Sequence, residues 1–140
     1  MIADRALFWV HAALCAWFAL NFVGVPRLVD KEELWGLAGA LFGAVLAVAI
    51  GYVFGVERAA IFALPVLLYW CWHQRKHWVF HFAGAPPEIV AKYDSLFGGN
   101  VRLLPLEPGR VVPDAYHTIL HVLLLGDALF TIRACLRLLG

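Results

Sequence analysis

The sequence predicts an all-α integral membrane protein, a four-helix bundle forming a single membrane domain over 1–140, with an interfacial helix in a long connection at 83–114. Three observations predict it. First, 63% of the 140 residues are hydrophobic and only 15% charged, whereas an average soluble domain is about 45–50% apolar and about 25% charged. Second, the eleven basic and ten acidic residues are confined to particular places. Leu7 to Gly24, Trp35 to Val56, Ala59 to Trp72 and Ala115 to Ile132 hold one formal charge between them, Asp127. Third, these stretches are apolar on every side instead of alternating faces, as a helix bathed in lipid does and a soluble amphipathic helix does not. The composition also excludes disordered and collagen-like chains, which are poor in large apolar side chains.

Four transmembrane helices follow, at about 7–24, 35–56, 59–81 and 115–138. A helix needs about 20 mostly apolar residues to cross a hydrocarbon core of about 30 Å. The first two stretches meet that length. The third reaches it only if the helix continues past Arg75 and Lys76, whose side chains then snorkel to the headgroups. The fourth reaches it if its His, Asp and Arg groups face protein. The first stretch carries bulky Trp9, Trp17 and Phe18 and has no small-residue cleavage site, so it reads as a mature helix and not as a signal peptide.

Local signals set the boundaries. Gly24 and Pro26 close the first helix in the usual order of stop residues. The short GVER turn (55–58) makes the second and third helices an antiparallel hairpin. Pro65 kinks the third helix or frees a carbonyl for a neighbour. Tyr69, Trp70 and Trp72 form an aromatic belt at the water interface. Beyond it, Trp78, Val79, Phe80 and Phe82 continue the chain at the headgroup level, and Arg75 and Lys76 suit the phosphates of anionic lipid. Within 83–114, the segment EIVAKYDSLF places Ile89, Tyr93 and Phe97 four apart on one face, a short amphipathic helix ended by Gly98 and Gly99. Asp114 suits the N-cap of the last helix. With four spans the termini share a side. The loops of the other side collect Arg27, Lys31, Arg75, Lys76, Lys92, Arg102 and Arg110, which places those loops in the cytoplasm of a multi-pass inner-membrane protein.

Several features bear on function. Gly39, Gly43, Ala47, Gly51 and Gly55 recur every four residues, a small-residue stripe along which another helix can approach closely. The partner is either a helix of this chain or one belonging to a second copy or another subunit. Five of six histidines flank the long connection. His73 and His77, and likewise His117 and His121, are four apart and so share a helical face. The end of the third helix and the start of the fourth lie on one side of the membrane, so the pairs can converge. Four imidazoles suit a transition metal, or two a haem iron, with Asp114, Glu88 or Asp127 as supporting acceptors. Alternatively they are interfacial histidines among lipid headgroups. His11, in the first helix, reads as a satisfied core histidine. Asp127 lies inside an apolar stretch, with Arg133, Asn21 or a histidine as its partner; Asp127 and Asn21 are the intramembrane polar residues. Cys15, Cys71 and Cys135 show no paired spacing and read as small buried hydrophobes.

No nucleotide-binding loop is present, and the lone Ser95 has no elbow motif around it, so nothing points to catalysis. Formal charge is +1, and no nucleic-acid partner is expected. The function that follows is a non-catalytic subunit or scaffold of a membrane assembly, a homo-oligomer or a pore, in contact with membrane lipids and with itself or other membrane subunits. The alternative is a membrane redox protein with haem or metal ligated by histidine.

Overall fold

The computed structural model describes residues 5–31 and 36–140 and is all α-helical. Its helices are α1 (Arg5–Val23), α2 (Leu37–Val53), α3 (Ala59–Phe82), α4 (Pro87–Phe97) and α5 (Ala115–Leu139). Each expected helix is present. The first ends where expected: Gly24 takes φ +75° and its N–H bonds the Leu20 carbonyl at 2.8 Å, and left-handed backbone there costs glycine nothing. The second is shorter than expected. Gly55, at φ +76°, turns the chain before Val56, and α2 stops at Val53. The expected start at Trp35 lies outside the described residues. Pro65 sits inside α3, which continues without interruption to Phe82.

Length and apolarity separate the helices. At 1.5 Å per residue, the 17 residues of α2 reach only about 25 Å and the 19 of α1 about 28 Å. Among the described residues α1 and α5 are long and apolar enough to cross a membrane, and α2 is a shorter apolar helix. α3 is long, but its run HQRKH carries too much polarity into any membrane-length window.

The four long helices pack in a ring, α1 on α2, α2 on α3, α3 on α5 and α5 on α1. Leu7, Leu14 and Phe18 of α1, Val45 and Tyr52 of α2, Leu67 and Trp70 of α3, and Leu120 and Leu124 of α5 fill the middle. Phe18 and Trp70 meet edge to face at 4.6 Å, joining α1 to α3 across the ring. The exterior is no less apolar: Trp9 (67% exposed), Phe54 (80%), Phe62 (73%), Val122 and Leu125 all face outward. The interior of the ring also holds polar residues, with His11, Asn21, Asp127 and Thr131 buried.

The long connection is ordered and tied to its neighbours. Val101 N–H bonds the Arg27 carbonyl and Ala115 N–H bonds the Val101 carbonyl, both at 2.7 Å. The chain leading into α5 is buried from Val111 onward. α4 approaches α3 and α5 through aromatic side chains and not through close backbone packing.

The small-residue stripe lies mostly on the outside. α2 turns Leu41, Val45, Val48, Ala49 and Tyr52 inward. Gly43 and Ala47 fall on the opposite side and are exposed, and Gly39 is half-buried. A Cβ added to Gly43 would meet nothing within 4 Å, so none of the described residues packs against it. At Gly51 a Cβ would come 3.3 Å from Cβ of Ala59, and the hairpin uses that glycine. Leucine substitutions are expected to separate the two positions. Gly43→Leu keeps the monomer at least as stable, since it gains up to about 1 kcal/mol of helix propensity in open space. Gly51→Leu lowers stability by about 1–2 kcal/mol through overpacking. Thermal unfolding followed by circular dichroism in detergent measures both.

Candidate functional site

Two groups of polar side chains stand out, one at the end of the ring where the loops gather and one in its centre. The first is built by α3 and α5 running antiparallel. Three of the four histidines expected to converge do so. The His77 ring lies 5.1 Å from His117 and 5.2 Å from His121, centroid to centroid, and His117 lies 6.1 Å from His121. His73 has its ring contact with Tyr69, one turn back on α3, at 6.3 Å. α4 roofs the cluster, with Tyr93 5.6 Å from His77 and Phe97 5.0 Å from His117. His81 belongs to the same end but points to the connection, where its Nδ1–H donates to the Val111 carbonyl at 3.1 Å.

Asp114 organises the cluster. As N-cap of α5 its Oδ1 accepts from the His117 backbone N–H at 2.9 Å and from His117 Nδ1–H at 2.8 Å. Its Oδ2 accepts from Asn100 Nδ2 at 2.9 Å. Burial alone would raise this carboxyl, but the hydrogen bonds and charge of His117, with the Asn100 bond, outweigh it and hold the carboxyl below its usual range. Tyr93 is pushed up, by burial first and by the charge of Asp114 second, so its phenol stays protonated at neutral pH. His121 Nε2–H donates to Gln74 Oε1 at 3.3 Å, and the buried Nδ1 atoms of His121 and His77 have no hydrogen-bond partner.

The rings pack on one another more than they aim at one point. His77 and His117 stack with 23° between their planes. Among the described residues no group of three or more His, Cys, Asp or Glu side chains is arranged to hold a metal ion. Glu88 and Asp127 stand apart from the cluster: Glu88 is exposed in the first turn of α4, and Asp127 pairs elsewhere. Arg75 covers the exposed rim, its guanidinium 4.3 Å over the Trp72 ring and bonded to the Trp72 carbonyl at 2.7 Å. Lys76 beside it is exposed. Between α3 and α5 lies a groove of about 530 Å³, lined by Cys71, Trp78, Phe82, Leu124 and Leu125 and reaching His121.

The second group is the pair of Asp127 and His11. Both are fully buried, and Asp127 Oδ1 contacts His11 Nδ1 across the α1–α5 interface. Thr131 Oγ1 donates to the same oxygen at 3.4 Å, and Tyr52 packs 5.6 Å from the imidazole. Asp127 Oδ2 and His11 Nε2 are buried without a hydrogen bond. Asp127 therefore has a histidine partner, and neither Arg133 nor Asn21 fills that role. His11 is less satisfied than a core histidine ordinarily is, with only one of its nitrogens engaged. The three cysteines are free; Cys15 and Cys135 are buried and Cys71 is half-buried.

No protein-family model matches the sequence, and neither a curated protein nor a solved structure matches it.

Two predictions follow from these geometries. Removing one partner of a buried pair leaves an uncompensated polar group, so Asp127→Ala and His11→Ala are each expected to cost about 3 kcal/mol. Asp127→Asn keeps a hydrogen bond and costs less, and the double replacement by leucine recovers most of the loss, as a double-mutant cycle by thermal melt would record. For Asp114 the depressed carboxyl means that its ionised form favours folding. That contribution is complete above the usual carboxylate value near pH 4 and is lost as pH falls through the lower folded value. In Asp114→Asn, acid titration of the melting temperature is expected to show a smaller fall below about pH 4, from a lower plateau.

Proposed function

We propose that this chain is a polytopic membrane protein, with α1, α2, α3 and α5 crossing the inner membrane, that serves as a non-catalytic subunit or scaffold of a membrane assembly. The observation that carries the reading is the inside-out distribution of polarity. Large apolar side chains face outward from the four-helix ring, while a histidine, an asparagine, an aspartate and a threonine occupy its interior. Water would oppose that arrangement by leaving so much apolar surface wet. Lipid favours it, because a buried polar group finds its partner in protein and an outward leucine finds hydrocarbon.

Membership of an assembly is supported by the outward course of Gly43 and Ala47 on α2. In lipid, helix association relies on close contact, and small residues permit it. The short α2 is consistent with local bilayer thinning or with coverage by a second helix. On this reading the histidine cluster and Asp114 close the end of the ring where the loops meet.

The test is fractionation followed by photo-crosslinking from position 47. The protein is expected in the membrane pellet, released by detergent only. A crosslinked band of higher mass should appear and vanish in Gly43→Leu while the monomer stays folded, and purified protein should be colourless and free of metal. Recovery in the detergent-free supernatant would end the membrane reading, and a persistent absence of crosslinks would end the assembly reading. A Soret band or stoichiometric metal, lost in His77→Ala or His121→Ala, would instead establish the histidine-ligated redox protein.

A further inference from the structure

Beneath α4 lies a cavity of about 370 Å³ whose lining includes the cations Lys76 from α3 and Lys92 from α4. His73, His77 and His117 add three imidazoles to its wall, and no Asp or Glu lines it. Lysines on a protein surface are ordinarily interspersed with carboxylates, yet among the described residues neither lysine has an ion-pair partner. Two nearby acids are engaged elsewhere. Asp94 pairs with Arg102 at 2.8 Å, and both oxygens of Asp114 are taken by His117 and Asn100. Glu88, one turn before Lys92 on α4, makes no ion pair with it. The buried Nδ1 of His77, on the same wall, has no hydrogen-bond partner.

The rest of the lining is of a different kind. Ile89, Leu96 and Phe97 of α4 and Phe80 of α3 make it apolar. A cavity of this size falls within the range of small-molecule sites, about 300–1,000 Å³. Uncompensated ammonium groups and imidazoles beside an apolar wall match one ligand chemistry, an anionic head joined to a carbon skeleton. We propose that the cavity binds a phosphate ester, its phosphate held by Lys76 and Lys92 with imidazole N–H groups of His73 and His77, and its carbon part against α4. That chemistry has two sources, the headgroup of an anionic phospholipid or a soluble phosphate monoester. The cavity lies between α4 and the ends of α3 and α5, so it is open to either, and the proposal stands whether or not the chain forms part of a larger assembly.

The test uses the full chain in a neutral detergent, with binding read by thermal shift and by native mass spectrometry. The probes are short-chain phosphatidylglycerol and glycerol 3-phosphate, with short-chain phosphatidylcholine and glycerol as controls. At least one phosphate probe is expected to bind saturably and more tightly than its control. The Lys76→Gln, Lys92→Gln double variant should weaken that binding on the order of tenfold or more. A charge-matched double variant outside the cavity, Arg58→Gln with Arg133→Gln, should leave it unchanged. All four side chains are exposed, so neither double variant threatens the fold. Binding of phosphatidylglycerol alone identifies a lipid headgroup, and binding of glycerol 3-phosphate as well identifies a soluble ester. Equal binding of probes and controls, or equal weakening by the two double variants, overturns the proposal.

Discussion

The contact between His11 and Asp127 fixes the rotational phase of the helix that carries most of the polar chemistry. α5 is apolar along most of its length, and hydrophobic burial alone distinguishes poorly between its faces. A carboxylate that must find a partner does distinguish them, because leaving it unpaired in an apolar interior is costly. With Asp127 turned toward α1, Leu120, His121, Leu124, Ala128 and Thr131 turn inward with it. Leu125, Leu129 and Leu136 are left outside. His121 and His117 then meet α3 where His77 lies. The arrangement of the loop end is thus set partly by a pair in the middle of the ring.

A second organising residue acts at the loop end itself. Asp114 caps α5, orients His117 and receives Asn100 from the long connection. One carboxylate therefore joins a helix terminus, an imidazole and a loop. Its oxygens are fully engaged by His117 and Asn100, so it makes no ion pair with the lysines of the neighbouring cavity.

Much of this architecture was legible in the sequence. The Gly24 stop, the GVER turn, the short helix over 88–97 and the Asp114 cap each depend on a few adjacent residues, and each is present. The convergence of His77, His117 and His121 was legible from spacing and topology together, since four-residue spacing sets the face and antiparallel packing sets the level. What was not legible is long-range. Nothing near Asp127 names His11 as its partner, because that pairing depends on α5 closing the ring against α1. The outward phase of Gly43 and Ala47 was hidden for a related reason: in a helix apolar on all sides, periodicity marks a face without saying which way it points. His73 shares its face with His77 by spacing, but Tyr69 one turn back holds its ring. The extent of α3 as a span turns on HQRKH, where charge begins to offset length.

α4 reaches the helices below it through Tyr93 and Phe97, while the backbone of the connection is stitched at Val101 to Arg27 and Ala115. This is a roof standing on two aromatic pillars and tied down at both ends, by the short run from α3 on one side and by Asn100 to Asp114 on the other. The clearance beneath α4 is therefore set by two aromatic rings and not by backbone packing.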